Sequence, residues 1–218
     1  MFTGIVRGRG QIVAADPQDT GTRFRIRFPD ALLGGLETGA SVAVDGVCLT
    51  VVRIAGHEID FDAIAGTLAL TNLGDRRVGD EVNLERSARL GDEVGGHHVS
   101  GHVSTTGVIT SIELKGPGSH HIEFQVDPEW TRYIFLRGFL AVDGASLTVA
   151  EADPGRRRFR INLIPETIRN TCFRRYRAGD RVNIEVEHQT QVLVDVVTRT
   201  IEAALAGREI VRPKSESP

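Results

Sequence analysis

The chain carries the same seven-residue pattern twice, DGVCLTV from Asp45 to Val51 and DGASLTV from Asp143 to Val149. Three further blocks match in the same order. GIV (4–6) answers to GHV (101–103), FDAIAGT (61–67) to INLIPET (161–167), and VGDEVNLE (78–85) to AGDRVNIE (178–185). The offset runs only from 97 (4 to 101) to 100 (61 to 161). Ordered self-similarity at a near-constant spacing is a tandem duplication, and it limits the fold to two like units of about 90 residues. A unit of that size buries a moderate core, so docking against its twin or another chain would add stability.

Charge and composition narrow the class. The 218 residues are 40% hydrophobic and 25% charged, an ordinary globular balance. A net charge of -3 argues against a nucleic-acid binder, which needs a basic face to neutralise phosphates. The basic runs at 156–158 and 174–177 read as solvated turns. Cys48 and Cys172 stand at non-equivalent repeat positions, which gives no disulfide framework and fits a reducing cytoplasm. MFTGIVRGRG lacks a signal-peptide core and no segment approaches a membrane span, so a soluble cytoplasmic protein without a membrane partner is expected.

Each half reads as short strands. Phe2, Gly4 and Val6 share one parity and predict a strand from the start, followed by a Gly-rich RGRG that implies a bulge or close backbone approach. In 22–28, Phe24, Ile26 and Phe28 alternate with Arg23, Arg25 and Arg27, the period-two pattern of a half-buried strand. Asp30 is expected to cap a short helical turn that Gly34 and Gly35 end. Asp45-Gly46 predicts a tight hairpin between 41–44 and 47–52. Strands around Ile59, Phe61 and Ala63, then Val82 and Leu84, with a helical turn at 67–73, complete the unit, and the second half repeats it. Six short antiparallel strands per half predict an all-β fold: two tandem six-stranded, Greek-key-like β-barrels plus a C-terminal α-helix. The expected divisions are 1–88, a linker at 89–96, 97–188, an amphipathic helix at 189–206 ended by Gly207, and a frayed tail at 207–218. The helix belongs to neither repeat, and its apolar stripe serves either its own domain or self-association.

The repeated strand supplies candidate chemistry. Cys48 and Thr50 point away from Val47, Leu49 and Val51, as Ser146 and Thr148 point away from Ala145, Leu147 and Val149. Such a row either faces solvent or lines a pocket. A pocket of Cys48, Thr50 and Asp62, matched by Asn162, offers hydrogen bonds along a flat edge and suits a heterocycle. GGHHVSGHV (95–103) holds His97, His98 and His102, but no CxxC, HExxH or tetrahedral-site spacing supports a metal. A polar strand start with surface imidazoles is the plain reading. The sharper one gives one pocket a group titrating near neutral pH, because His102 replaces Ile5. Cys48 likewise corresponds to Ser146, and Gly66 to Glu166. Two frames alike in shape but unlike in reactive groups suit a reaction between two bound molecules.

Taken together, MFTGIV, the two DGxxLTV copies, GGH…SGH, TNLGD and NLIPET resemble the trimeric, twin-barrel riboflavin synthase family over about 190 residues. The resemblance implies a cofactor-free dismutation of two 6,7-dimethyl-8-ribityllumazine molecules by four-carbon transfer, giving riboflavin and 5-amino-6-(ribitylamino)pyrimidine-2,4-dione. It implies a homotrimer held by the C-terminal helix, with each active site between the first barrel of one chain and the second of its neighbour. It also raises association with lumazine synthase, on which the residues are silent. Substrate-contacting positions carried onto this chain are Gly4, Ile5, Val6, Cys48, Leu49, Thr50, Asp62, Ala63, Ile64, Ala65, Gly66 and Thr67, grouped with the first barrel. For the second they are Gly101, His102, Val103, Arg137, Ser146, Leu147, Thr148, Asn162, Leu163, Ile164, Pro165, Glu166 and Thr167. The implied roles are proton transfer by His102 with Thr148, and assistance to nucleophilic addition by Cys48 or Ser146. The family commonly has Lys at Arg137 and Glu at Gly66. Arg does not release its proton, which removes a shuttling role there. The alternatives are a non-catalytic lumazine- or flavin-binding antenna protein and a structural twin-barrel adaptor.

Overall fold

Asp45 and Gly46 both sit at positive φ, 45° and 80°, and Asp143 and Gly144 at 43° and 78°. This is the two-residue hairpin turn whose twist matches the flanking strands. It folds β3 (Ser41–Val44) onto β4 (Val47–Ala55) with Val44 opposite Val47, and β9 (Phe139–Val142) onto β10 (Ala145–Asp153). The structure is a computed structural model that describes residues 1–116 and 118–208. The first half adds β1 (Gly8–Gln18), β2 (Gly21–Arg27), β5 (Glu58–Ile64), the helix α1 (Ala65–Leu70) and β6 (Glu81–Arg86). The second adds β7 (Thr105–Leu114), β8 (His120–Gln125), β11 (Arg158–Leu163), α2 (Pro165–Asn170) and β12 (Arg181–Val186). All pairings are antiparallel, and each half closes into a barrel. The ring order β1-β2-β5-β4-β3-β6 recurs as β7-β8-β11-β10-β9-β12.

Alternation decides which side chains fill each barrel. Phe24, Ile26, Ile59, Phe61, Leu49, Val51, Val82 and Leu84 pack one core; Ile122, Phe124, Phe159, Ile161, Leu147, Val149, Val182 and Ile184 pack the other. Outside the first barrel, Arg23, Arg25 and Arg27 meet Asp62, Asp60 and Glu58 on alternate β2–β5 rungs. One-residue register shifts at Ile12/Ala14, Val51/Arg53, Ile109/Ser111 and Val149/Glu151 supply the bends that short strands need to close a ring. Gly10 allows the close approach expected of RGRG: a Cβ there would lie 2.6 Å from Ile26 and 2.8 Å from Leu84 side-chain atoms.

Residues 2–6 correct the expected opening strand. They run outside the sheet, which begins at Gly8. Phe2 pairs instead with its repeat mate Val99 through N–H···O bonds of 2.7 and 3.0 Å, and packs with Ala43 and Ala141. Val6 then enters the core of the second barrel, while its mate Val103 enters that of the first. The two arms are exchanged. Each is held by a carboxylate: Glu85 accepts from the Thr3 N–H and hydroxyl and the Gly4 N–H, Glu185 from the same groups of Ser100 and Gly101. Burial pushes the Glu85 carboxyl above its ordinary range.

The exchange joins both barrels into one compact unit, Met1–Glu187, about a polar centre. The hairpin turns meet there, and a Cβ on Gly46 would lie 2.6 Å from the Gly144 nitrogen. Asn83 donates to the Asp143 carbonyl and Asn183 to that of Asp45, at 2.9 and 2.8 Å. Asp45, fully buried, is paired with Arg76 at 2.6 Å; Asp143 accepts from the Tyr176 hydroxyl and from Asn72. The Asp-Gly motif thus builds the barrel-to-barrel joint as well as its hairpin.

Two smaller expectations are also corrected. Pro29, not Asp30, occupies the N-cap of the 3-10 turn at 30–32, and no side chain caps it. The C-terminal helix α3 runs His188–Arg208 and continues through Gly207, two residues beyond the expected end. From residue 209 the expected tail lies outside the described residues. The segment from His188 forms a second unit, with Val192, Leu193, Val196, Val197, Ile201 and Leu205 exposed along it.

Candidate active site

The outward faces of β4 and β10 form two ledges of the same design. Cys48 and Ser146 are half-buried, Thr50 and Thr148 exposed. Carrying the Val51↔Phe61 and Val149↔Ile161 rungs one step on sets Thr50 beside Asp62 and Thr148 beside Asn162. Next on the outer face come Ile64 and Ile164, 62% and 61% exposed, and then the first turns of α1 and α2 with Gly66, Thr67, Glu166 and Thr167. A bare aliphatic side chain flanked by small polar groups suits the face of a flat ring whose edge makes hydrogen bonds. Leu49, Ala63, Leu147 and Leu163 point the other way, into the cores, and support the ledges from below. Ala65 and Pro165 begin the helices.

The exchanged arms complete the ledges and correct their grouping. Cys48 donates its N–H to the Gly101 carbonyl (2.9 Å), and Ser146 donates to that of Gly4 (2.7 Å). Gly101 and His102 therefore edge the ledge of the first barrel, and Gly4 and Ile5 that of the second, the reverse of the repeat-by-repeat assignment. The reason is steric and covalent: Phe2 and Val99 cross, so each following glycine reaches the opposite strand. Both glycines have positive φ, 72° and 83°, and the copies leave no room for a Cβ. Val6 and Val103 lie buried beneath as core residues. Within one chain, His102 lies with Cys48, whereas Thr148 belongs to the other ledge.

The ledges differ in charge and reactive groups. Asp62 takes both arms of Arg23 at 2.7 Å, and that guanidinium holds its carboxyl below the usual range. The corresponding Asn162 pairs on its rung with His121. Glu166 accepts from Arg169 and, at 2.6 Å, from Asn170, and these donors keep it ionised. Gly66 faces open space in the same place. Beside Ser146, His97 brings Nδ1 to 2.7 Å from the hydroxyl oxygen and stacks on Phe139 at 5.8 Å. Burial lowers the His97 pKa, so the ring is neutral at pH 7. Its Nε2 is buried without a hydrogen-bond partner among the described residues. On the first ledge no imidazole is hydrogen-bonded to the Cys48 side chain among the described residues. Arg137 stands exposed at φ 64° where the first repeat has Gly39 (φ 88°). A non-glycine residue held in the left-handed region beside the second ledge marks a constrained position.

His97, which the sequence presents as a surface imidazole, is thus part of the second ledge. Gly96 is what buries it, since a Cβ there would meet the Thr3 carbonyl at 2.3 Å and Ser146 at 2.7 Å. Glu85 and Glu185 are legible in principle, because both repeats put a carboxylate at the same place in the VNxE block.

The twin-barrel chain as a whole has relatives among known proteins. The lumazine binding domain family matches residues 3–87 and again 100–187. The riboflavin synthase of Escherichia coli K12 is 47% identical over 210 residues, covering 96% of this chain and 95% of that one. The chain belongs to the riboflavin synthase family. The Chlamydia pneumoniae riboflavin synthase is 40% identical over 209 residues, 96% of this chain and all of that one. Among solved structures, LumP complexed with 6,7-dimethyl-8-(1'-D-ribityl) lumazine superposes with a TM-score of 0.77 at 26% identity. That match covers 86% of this chain and 99% of LumP. The riboflavin synthase family thus shares its twin-barrel frame with a protein crystallised holding lumazine.

Proposed function

We propose that this chain is a riboflavin synthase, a transferase that dismutates two 6,7-dimethyl-8-ribityllumazine molecules by moving a four-carbon unit from one to the other. The products are riboflavin and 5-amino-6-(ribitylamino)pyrimidine-2,4-dione. The observation that carries this reading is the pair of ledges alike in frame and unlike in reactive groups: Cys48 beside Gly101–His102, and Ser146 bonded to His97 beside Gly4–Ile5. A dismutation needs that combination. Identical molecules must be held alike yet driven to opposite fates.

One lumazine loses a proton from its C7 methyl, and the other receives a nucleophile at C7. An exposed imidazole such as His102 suits the proton transfer, and the Cys48 thiol or the Ser146 hydroxyl suits the addition. The neutral His97 ring is positioned to accept the Ser146 hydroxyl proton. Asp62, Thr67, Glu166 and Thr167 offer acceptors and hydroxyls to a ribityl chain, with Ile64 and Ile164 beneath the rings. Much of the acceleration comes from holding two flat molecules in reacting register, which replaces a bimolecular encounter.

Within one chain each ledge lies open, and His102 and Thr148 sit on different ledges. Both facts fit an active site closed between the first barrel of one chain and the second of its neighbour. The exposed apolar stripe of α3 supports a homotrimer, and exposed Phe135, Leu136 and Phe139 around Arg137 give the second barrel an apolar rim for a neighbour. Among the described residues no helix is long and apolar enough to cross a membrane, and the reading includes a cytoplasmic location and contact with lumazine synthase.

The test is to incubate the purified chain with 6,7-dimethyl-8-ribityllumazine, without added metal or nucleotide, and follow riboflavin by absorbance. One riboflavin per two lumazines consumed is expected. Lumazine that binds and stays unchanged would make the chain a LumP-like binder instead, and absence of binding would leave a structural adaptor.

A further inference from the structure

The duplication gives each surface feature an internal control. Arg9 stands opposite Asn83 on β1–β6, and Thr106 opposite Asn183 on β7–β12, so 9 and 106 are mates. Arg7 donates its N–H to the Leu84 carbonyl as Ser104 does to Ile184, so 7 and 104 are mates. Arg169 on α2 corresponds to Ala69 on α1. Arg7, Arg9 and Arg169 converge on one cleft of about 280 Å³, with Asn170 and Glu81 also on its wall. Three guanidiniums gather there in a chain of net charge -3, at places where the copy has Ser, Thr and Ala.

Internal pairing does not neutralise the cleft. Its wall carboxylate, Glu81, lies 3.3 Å from Arg9, 3.7 Å from Arg174 and 2.8 Å from Arg175. Arg169 pairs with Glu166, and the Arg7 guanidinium makes no hydrogen bond or ion pair among the described residues. At the mate location the three cations are absent and the one carboxylate has become a cation. Glu81 is replaced by Arg181, which engages Asp75 and Thr106 at 2.8 and 2.9 Å.

We propose that this cleft is an anion site for a compact phosphate dianion, either inorganic phosphate or the phosphate group of a sugar phosphate. Guanidinium forks match phosphate oxygens pairwise, and a dianion can satisfy more than one fork at once. The volume admits phosphate with a small polyol attached and is too small for a nucleic-acid strand. The cleft also abuts the second ledge. An anion that draws Arg169 away from Glu166 frees that carboxylate, which couples occupancy of the cleft to ribityl binding; this last step alone rests on the lumazine reading.

The test uses the full chain at fixed ionic strength, titrated calorimetrically with inorganic phosphate, ribose 5-phosphate and ribose, with sodium chloride as the screening control. The comparison is Arg7→Ser/Arg9→Thr, which installs the residues of the copy. Saturable binding of either phosphate species, weakened about tenfold or more in the variant, supports the site, and ribose should not bind. Equal affinity for the two phosphates assigns the site to free phosphate, and preference for the ester assigns it to a sugar phosphate. No saturable binding, the same affinity in the variant, or the same heat from chloride overturns it. Should the double variant fail to fold by circular dichroism, Arg7→Ser alone removes an exposed, unpaired guanidinium and decides the same question. Riboflavin formation plays no part in the binding readout, so failure of the site and failure of the enzyme reading are separable.

Discussion

A methyl group on Gly4 would lie 2.5 Å from the Ser146 Cβ, and one on Gly101 2.6 Å from the Cys48 Cβ, both at positive φ. Gly4→Ala and Gly101→Ala should each cost about 1–3 kcal/mol by chemical denaturation. Each should also distort the ledge it edges; full activity and stability in either variant would deny the close packing of arm and ledge. His102→Gln should slow turnover by about 10²-fold if the imidazole moves a proton, and an unchanged pH-rate profile would remove it from the chemistry. The buried centre contributes its own pH dependence. Burial, with the Asp45 carboxylate beside it, pushes Asp143 up to about 7. A raised folded-state pKa contributes stability fully present below the unfolded value, 3.8, and lost as pH rises through about 7. His97 and Asp62 have the opposite sign: their depressed folded values contribute stability above the unfolded pKa that is lost as pH falls. Asp143→Asn removes only the first contribution. Its deficit in thermal stability against the parent chain should therefore shrink as pH rises from 3.8 to about 7, and a deficit that stays constant would place the titration elsewhere.

At the scale of elements, the barrels are legible because alternating burial leaves a period-two trace and Asp-Gly leaves a hairpin trace, both local. The arm exchange leaves none. GIV and GHV match each other whichever barrel they serve, so a repeat shows that the arms correspond but not which ledge each one reaches. The opening strand misleads for the same reason: Phe2, Gly4 and Val6 share a parity, but Phe2 packs at the inter-barrel contact and Val6 in the opposite core. His97 is hidden because its burial depends on Gly96 fitting against a strand 50 residues away. The exchange also bears on stability. Val6→Ala leaves a void in the second barrel and Val103→Ala one in the first, each costing about 1–3 kcal/mol. Hydrogen exchange should show β7–β12 loosened by the first change and β1–β6 by the second; the reverse pattern would contradict the swap. The amphipathic period of α3 is equally plain, but its run through Gly207 is not, since a single glycine weakens a helix without ending it. Truncation after His188 should reduce the assembly to monomers by light scattering, and a trimeric product would clear the helix of that role.

On the scale of the whole molecule, duplication supplied two equivalent frames and divergence made them differ. The Asn83–Asp143, Asn183–Asp45 and Asn72–Asp143 hydrogen bonds join the two barrels, and both ledges lie on outward faces. In the proposed reading the chemistry takes one ledge from each of two chains. The most direct measurement mixes two inactive variants, Cys48→Ala/His102→Gln and Ser146→Ala/Thr148→Ala, after dissociation and reassembly. A ring of chains with sites shared between neighbours should regain activity, up to about a quarter of the wild-type sites in an equal random mixture. If each chain instead pairs its own two ledges, every site in the mixture keeps a damaged half and riboflavin formation stays at the level of the separate variants.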